Sequence, residues 1–134
     1  MTAKKEKKIT IFILDDEKDI CHFMKEFLKK REFDVYVSLT AKSAISTLKK
    51  IQPHIAFLDI RLADHKMTGL DILEIIKERH AQCQCVIVSY LDDPKVVERA
   101  LSLGANDYLK KPLSLVEIHK VINKIVKKIR GTKN

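Results

Sequence analysis

Aromatic residues are scarce in this sequence of 134 residues: they make up 6%, and there is no tryptophan. Basic residues are abundant, and the formal net charge is +8. Surfaces that bind single-stranded nucleic acid interleave basic side chains with aromatic rings on which bases stack. The lysines here crowd the two ends of the chain and lack that interleaving. A solvated basic surface is therefore the simpler interpretation, and direct binding of nucleic acid is not expected.

Cysteine is also rare, with three residues: Cys21, Cys83 and Cys85. The count is odd, and "CQC" lacks the two-residue spacer of zinc and thioredoxin-like motifs. On a strand, Cys83 and Cys85 would face the same side of the sheet. We therefore expect small buried or half-buried thiols without a metal or redox role.

Long apolar runs are missing. No stretch approaches the ~18 residues of a membrane-spanning helix, and the apolar run after the basic start is too short for a signal peptide. We expect a soluble cytoplasmic protein with no membrane partner. Hydrophobic residues nevertheless make up 46% of the chain, which is enough for the core of one compact domain.

Strand-like and helix-like segments alternate along the chain. The strand-like segments are 8–14, 34–38, 54–59, 85–89 and 107–110. The helix-like segments are 18–30, 41–48 after Thr40, 70–80, 94–103 and a last one that Ser114 can cap. This order predicts an α/β fold: a doubly wound (βα)5 domain with a five-stranded parallel sheet in the flavodoxin-like order 2-1-3-4-5 and helices on both faces. We place the domain at 9–129, between a basic extension (1–8) and a tail (130–134).

Polar side chains gather where the predicted strands end. Asp15 and Asp16 follow strand one, Asp59 ends strand three and Ser89 ends strand four. Lys110 and Lys111 end strand five, before Pro112. The carboxyl ends of parallel strands meet at one edge, where doubly wound sheets bind ligands. We therefore expect the carboxylates, a hydroxyl and an ammonium group to converge there.

These residue types suit phosphoryl chemistry with Mg²⁺. Clustered carboxylates need a cation, and Mg²⁺ prefers oxygen ligands and phosphate. A lysine and a hydroxyl can hold phosphoryl oxygens, and a carboxylate can attack phosphorus. Asp59 stands alone on the central strand and is the best candidate for that attack. The sequence has no GxxxxGK[ST] and no GxGxxG motif, which argues against nucleotide or flavin binding.

The segments "ILDDE", "HIAFLDI", "VIVSY" and "GANDYLKKP" occur in order on the corresponding elements. Over about 9–129 the chain resembles the receiver domain of two-component response regulators, similar to chemotaxis regulators. The resemblance implies roles for individual residues. These are Asp59 as phosphoacceptor, Asp16 as direct Mg²⁺ ligand, Asp15 as its partner, the backbone carbonyl of Arg61 as a further ligand, Ser89 as switch hydroxyl, Lys111 as the functional lysine and Tyr108 as aromatic switch.

The resemblance also implies a function. A histidine kinase or phosphotransfer protein donates a phosphoryl group to Asp59, and the surface of helix four, strand five and helix five then changes and binds a target protein, an output domain or a second copy of the chain. Such a protein is a signalling switch that catalyses only its own phosphorylation and dephosphorylation, not an enzyme in the usual sense. We expect Glu17 to do no more than begin the first helix, favoured there by the dipole.

Two departures from the family pattern stand out. Ala63 replaces a proline, and Gly69 follows Asp59 by ten residues where the family usually has eight, which makes the intervening loop about two residues longer. Leu91 is bulky and Arg61 is long, and in family geometry both flank the phosphorylated aspartate. We hypothesise that they hinder the attacking water and lengthen the life of the phosphorylated state.

Three alternatives stay open at this point. One is a degenerate receiver that acts as a protein-interaction module without phosphorylation. Another is a metal-dependent phosphatase with an aspartyl intermediate, although such enzymes tend to carry Asp-x-Asp after the first strand. The third is a nucleic-acid binder driven by the basic surface. The five histidines show no shared spacing, and we assign none of them a function: His22, His54, His65, His80 and His119.

Overall fold

The structure is a computed structural model that describes residues 8–63 and 66–131. The strands are β1 (Thr10–Leu14), β2 (Asp34–Ser38), β3 (Ile55–Leu58), β4 (Gln84–Ser89) and β5 (Asp107–Lys110). The helices are α1 (Lys18–Lys29), α2 (Ala41–Leu48), α3 (Gly69–Arg79), α4 (Pro94–Ser102) and α5 (Leu115–Arg130). The predicted alternation is confirmed. Most of the basic extension (1–7), His65 and the end of the tail (132–134) lie outside the described residues.

The five strands form one parallel sheet in the order β2-β1-β3-β4-β5, as predicted. Leu14 lies opposite Leu58 at the end of the β1–β3 pair. Ser89 lies opposite Lys110 at the end of the β4–β5 pair. This register brings the polar residues that follow the strands to one edge of the sheet.

Helices cover both faces of the sheet, which explains why its central strands are apolar throughout. On one face, α2, α3 and α4 pack over residues such as Phe12 and Leu58. On the other face, α1 and α5 pack over Ile13 and Phe57. Successive residues of the central strands β1 and β3 therefore belong to two separate cores.

Side-chain caps fix where several helices begin. Thr40 accepts from the backbone N–H of Ser43 before α2, and Ser114 accepts from that of Glu117 before α5, as predicted. A third cap was missed by the sequence reading: Thr68 forms a capping box with Asp71 at the start of α3. That box matters because α3 begins directly beside the functional edge.

The bounds of β2, α2 and β5 match the prediction, and the other predicted bounds differ by at most two residues, as is usual at element ends. Phe23 is an exception among the apolar residues of α1, since it is 44% exposed. Cys21, Met24 and Leu28 form the buried side of that helix instead. Across the described ranges, each helix is too short or too polar to cross a lipid bilayer.

Candidate functional site

The backbone ladder continues one residue past three strands and fixes the polar edge. The N–H of Asp15 donates to the carbonyl oxygen of Ser38 over 3.2 Å, and that of Asp59 donates to the carbonyl oxygen of Leu14 over 2.9 Å. On the far side, the N–H of Lys111 donates to the carbonyl oxygen of Ser89 over 2.9 Å. The three residues are thus held by sheet geometry, not by a loop free to move.

Lys111 lies at the centre of the edge. Its Nζ is 2.7 Å from Oδ2 of Asp15, 2.7 Å from Oε2 of Glu17 and 3.1 Å from Oδ2 of Asp59. The lysine is 2% exposed, Asp15 is 3% exposed and Asp59 is 5% exposed. One buried ammonium group therefore bridges three carboxylates that would otherwise repel one another.

The adjacent lysine takes no part in this cluster. Lys110 pairs with Asp92 over 2.6 Å, and both side chains are largely exposed. Neighbouring residues of a strand point to opposite faces, so only one of two consecutive lysines can reach the carboxylates. The choice of Lys111 over Lys110 agrees with this geometry.

Glu17 corrects an expectation. It was assigned to the first turn of α1, but it is the residue before the helix, with extended backbone and no capping bond from its own side chain. Its carboxylate instead reaches back to Lys111. The N–H of Glu17 donates to Oδ1 of Asp15 over 2.9 Å, which folds the turn so that this reach is short.

Asp16 is half-buried beside the cluster, and its charge contributes to raising the pKa of Asp59. Among the described residues, the carboxylates whose oxygens lie within 4.8 Å of one another are those of Asp15, Glu17 and Asp59. The role of Asp16 as direct metal ligand therefore stays a prediction. Glu17 is an additional carboxylate that the sequence reading did not include.

The electrostatics reflect burial of like charges. Burial raises the pKa of Asp59 to about 6; the charge of Asp15 adds to the rise, while the hydrogen bond from Lys111 opposes it. Burial also raises the pKa of Asp15. For Lys111, burial alone would lower the pKa, but hydrogen bonds to Asp15 and Glu17 outweigh it and leave the pKa above its ordinary value. The cluster thus strongly favours a cation.

The donor set suits a hard divalent cation. Three carboxylate oxygens, from the ends of β1 and β3 and from the turn between β1 and α1, converge within 4.8 Å. Mg²⁺ binds through one or two carboxylates and keeps other positions for water and phosphate oxygens. Asp15, Glu17 and Asp59 therefore fit Mg²⁺ by type and by proximity.

Ser89 and Tyr108 connect β4 and β5 to the loop that precedes α4. Ser89 is buried, and its Oγ accepts from the N–H of Leu91 over 3.1 Å. The half-buried Tyr108 donates its hydroxyl to the carbonyl oxygen of Leu91 over 2.6 Å. Leu91 itself is half-buried against the core below α4. Both predicted switch residues are thus hydrogen-bonded to the backbone of Leu91.

The loop after Asp59 is longer than in the family pattern, yet Gly69 packs tightly at its end. The N–H of Gly69 donates to the carbonyl oxygen of Ile60 over 2.9 Å. A Cβ built at Gly69 would lie 1.9 Å from the carbonyl oxygen of Asp59. Position 69 therefore excludes any side chain, and the extra residues lie before it. Arg61 is exposed at the start of the loop.

Of the remaining cysteines and histidines, Cys21 contacts this edge, since its thiol donates to the carbonyl oxygen of Asp15 over 3.2 Å. His54 accepts a backbone N–H from Thr10, at the opposite end of the sheet. All three cysteines are buried free thiols, as expected. Burial raises the pKa of Cys21 to about 12, so that thiol stays protonated.

Comparisons with known proteins agree with this geometry. The family model described as "Response regulator receiver domain" matches residues 11–123. An NtrX-like response regulator of Rickettsia bellii is 33% identical over 79% of this chain and 22% of its own length. The nitrogen assimilation regulatory protein NtrX of Azorhizobium caulinodans is 30% identical over 78% of this chain and 23% of its own. The chain thus spans less than a quarter of the length of these relatives.

Among solved structures, a two-component response regulator from Clostridium difficile superposes with a TM-score of 0.87 at 26% identity, covering 92% of this chain and all of that one. The sheet order, the acidic edge and the family match over residues 11–123 all indicate the same family. The chain belongs to the response regulator receiver domain family of two-component signalling.

Proposed function

We propose that this chain is a cytoplasmic, phosphorylation-dependent switch that accepts a phosphoryl group on Asp59. The observation that carries the proposal is the contact of one buried ammonium group with the Asp15, Glu17 and Asp59 carboxylates at the carboxyl edge of the sheet. A carboxylate oxygen of Asp59 would attack phosphorus of a phosphohistidine donor, and the bond from phosphorus to the imidazole nitrogen would break. The donor is a histidine kinase or a phosphotransfer protein.

Asp15, Asp16 and Asp59, with the backbone carbonyl of Arg61, are the proposed Mg²⁺ ligands, and Glu17 is a further carboxylate within reach. Bound Mg²⁺ would neutralise charge on the phosphoryl oxygens. Lys111 would hold an oxygen of a phosphoryl group on Asp59, and its contact with that carboxylate supports this role.

Ser89 and Tyr108 are proposed to convert phosphorylation into a change of surface. Ser89 Oγ would leave the N–H of Leu91 to donate to a phosphoryl oxygen, and the Tyr108 ring would follow the loop to which its hydroxyl is bonded. The surface of α4, β5 and α5 then shifts towards a state that binds a target protein, an output domain or a second copy of the chain.

Acetyl phosphate with Mg²⁺, followed by intact mass measurement, tests the proposal. We expect the gain of one phosphoryl group, lost in Asp59→Asn and in EDTA but kept in Asp92→Asn, which removes an exposed carboxylate outside the cluster. No gain in the parent chain would favour a receiver that acts only as an interaction module.

Leu91 and Arg61 are proposed to prolong the phosphorylated state by hindering water. The time course of phosphoryl loss after removal of acetyl phosphate measures this. Leu91→Glu and Arg61→Asn should each hasten the loss, whereas Leu101→Glu, a change on the exposed side of α4, should not. Rapid loss in the parent chain that neither substitution alters would contradict the idea.

A further inference from the structure

The end of the sheet opposite Asp59 carries a cavity of about 530 Å³. Its wall is formed by residues before β3, at the end of α3, before and within β4 and at the end of α5. The volume lies within the range of small-molecule sites, roughly 300–1,000 Å³. His54 at this end and Asp59 at the other are separated by about 16 Å of strand at ~3.3 Å per residue.

The wall of the cavity is basic. Arg79 and Lys128 both line it, and among residues 8–63 and 66–131 no aspartate or glutamate does. Neither cation makes an ion pair within the part of the chain that the structure describes. Two unpaired cations from different helices, facing one cavity, favour an anion with several oxygens, such as phosphate.

The wall also offers groups for a second, neutral part of a ligand. His54 accepts the N–H of Thr10 at Nδ1, so in the neutral ring Nε2 carries the hydrogen and can donate. Gln84 lines the cavity, and its Oε1 is shielded from water without a hydrogen-bond partner. A buried acceptor without a partner is costly. A turn of this amide towards a ligand hydroxyl or amino group would relieve that cost.

The backbone around Gln84 is already fixed. Lys77 Nζ donates to the carbonyl oxygen of Cys83 over 2.7 Å, and Asn106 Oδ1 accepts from the N–H of Cys85 over 2.8 Å. Lys77 also donates to that same Oδ1. This wall would therefore need little ordering when a ligand enters, which favours affinity.

We propose that this cavity binds a small phosphate monoester that carries hydroxyl or amino donors, its phosphate held by Arg79 and Lys128 and its donors by Gln84. Sugar phosphates and mononucleotides share this chemistry. The site is independent of the proposed phosphorylation of Asp59, and its failure would leave that proposal untouched.

Isothermal titration calorimetry of the full chain tests the proposal, with ribose 5-phosphate, AMP and inorganic phosphate as probes in EDTA. We expect saturable binding of ribose 5-phosphate or AMP, and the tighter of the two identifies the source. Inorganic phosphate should bind about tenfold more weakly because it lacks the neutral part. Binding should be unchanged in Asp59→Asn, which excludes the acidic edge as the place of binding.

Arg79→Gln and Lys128→Gln should each weaken binding of the ester about tenfold. Lys127→Gln is the matched control, since it makes the same charge change on α5 at a residue that does not line the cavity. Gln84→Leu should remove the preference for the ester over inorganic phosphate. Arg79 and Lys128 are exposed, so their variants test the site even if Gln84→Leu does not fold.

Absence of saturable binding by both esters would overturn the proposal. So would affinity for inorganic phosphate equal to that for the esters, or binding that survives both Arg79→Gln and Lys128→Gln.

Discussion

The two ends of the sheet carry opposite charge. At the carboxyl edge, Asp15, Glu17 and Asp59 surround one ammonium group. At the amino edge, Arg79 and Lys128 face a cavity whose wall, as far as the described residues form it, contains no acidic side chain. The strands between them are apolar and buried on both faces. Packing therefore fixes the middle of the molecule, while the two ends carry the sites proposed for a cation and for an anion.

The lysines at the two ends show the same contrast. Lys111 is buried and contacts three carboxylates, whereas Lys77 contacts neutral oxygens of Cys83 and Asn106. A buried cation among carboxylates cannot be removed without leaving unpaired charge. A lysine among carbonyl oxygens leaves only unpaired acceptors.

The largest effect is expected from Lys111→Met. The change leaves three clustered carboxylates without their cation, and we expect the free energy of unfolding at pH 7 to fall by about 3–5 kcal/mol. Urea denaturation measures it. Lys110→Met, the matched control, removes an exposed pair and should cost about 1 kcal/mol or less. Equal losses in the two variants would contradict the central place given to Lys111.

Gly69→Ala should cost about 2–3 kcal/mol, because the new Cβ would lie 1.9 Å from the carbonyl oxygen of Asp59 and the start of α3 would have to move. Urea denaturation gives the loss, and mass measurement after acetyl phosphate should show slower phosphorylation. Gly131→Ala is the comparison: its Cβ would meet nothing within 4 Å, so its loss reports only the strain of a side chain at a φ of 76° and no steric clash. Normal stability and phosphorylation in Gly69→Ala would show that the loop before α3 can shift to accept the Cβ at no cost, which would contradict the tight packing of Gly69.

Asp59→Asn should stabilise the fold at neutral pH. The pKa of Asp59 is raised to about 6 in the folded state. Folding therefore favours the protonated carboxyl group of Asp59. The stability that this gives is fully present below the ordinary pKa of an aspartate and is lost as the pH rises through about 6. Relative to the parent chain, the variant should gain on the order of 2 kcal/mol at pH 7.5 and little at pH 4.

Urea denaturation across this pH range checks the sign. Asp92→Asn is the comparison, since that carboxylate is exposed and the hydrogen bond from Lys110 lowers its pKa. It should show no gain at neutral pH. An Asp59→Asn variant less stable than the parent at pH 7.5 would mean that the ion pair with Lys111 stabilises the fold by more than burial of the Asp59 charge destabilises it.

Lys77→Met should have the smallest effect, a loss of about 1–2 kcal/mol, because it leaves neutral acceptors and no unpaired charge. Urea denaturation of Lys77→Met and Lys111→Met in parallel compares the free energy of unfolding lost at the two ends of the sheet. A loss from Lys77→Met as large as that from Lys111→Met would remove the contrast between the acidic and the basic edge.

Much of the fold was accessible from the sequence because each signal was local. Apolar runs of strand length, caps such as Thr40 and Ser114, and the alternation of elements gave the correct order. The register then followed, since parallel strands must bring Asp15, Asp59 and Lys111 to one edge.

What the sequence reading missed depended on geometry that no local pattern encodes. Whether Glu17 faces solvent or Lys111 depends on the turn that Asp15 closes with its side chain. The exact fit of Gly69 over Asp59 required the loop path in three dimensions. The basic cavity is formed by the ends of several elements that are far apart in the chain, so no single sequence motif indicates it. A signal for the α3 cap was present, since threonine and aspartate stand three residues apart in "TGLD".

The most direct test of the central claim is to locate the phosphoryl group on the chain. Borohydride reduction of the acetyl phosphate-treated protein converts an aspartyl phosphate to homoserine, and peptide mass spectrometry then identifies the position. The account predicts homoserine at position 59 and aspartate retained at positions 15 and 16. Homoserine at another position, with Asp59 unchanged, would contradict it.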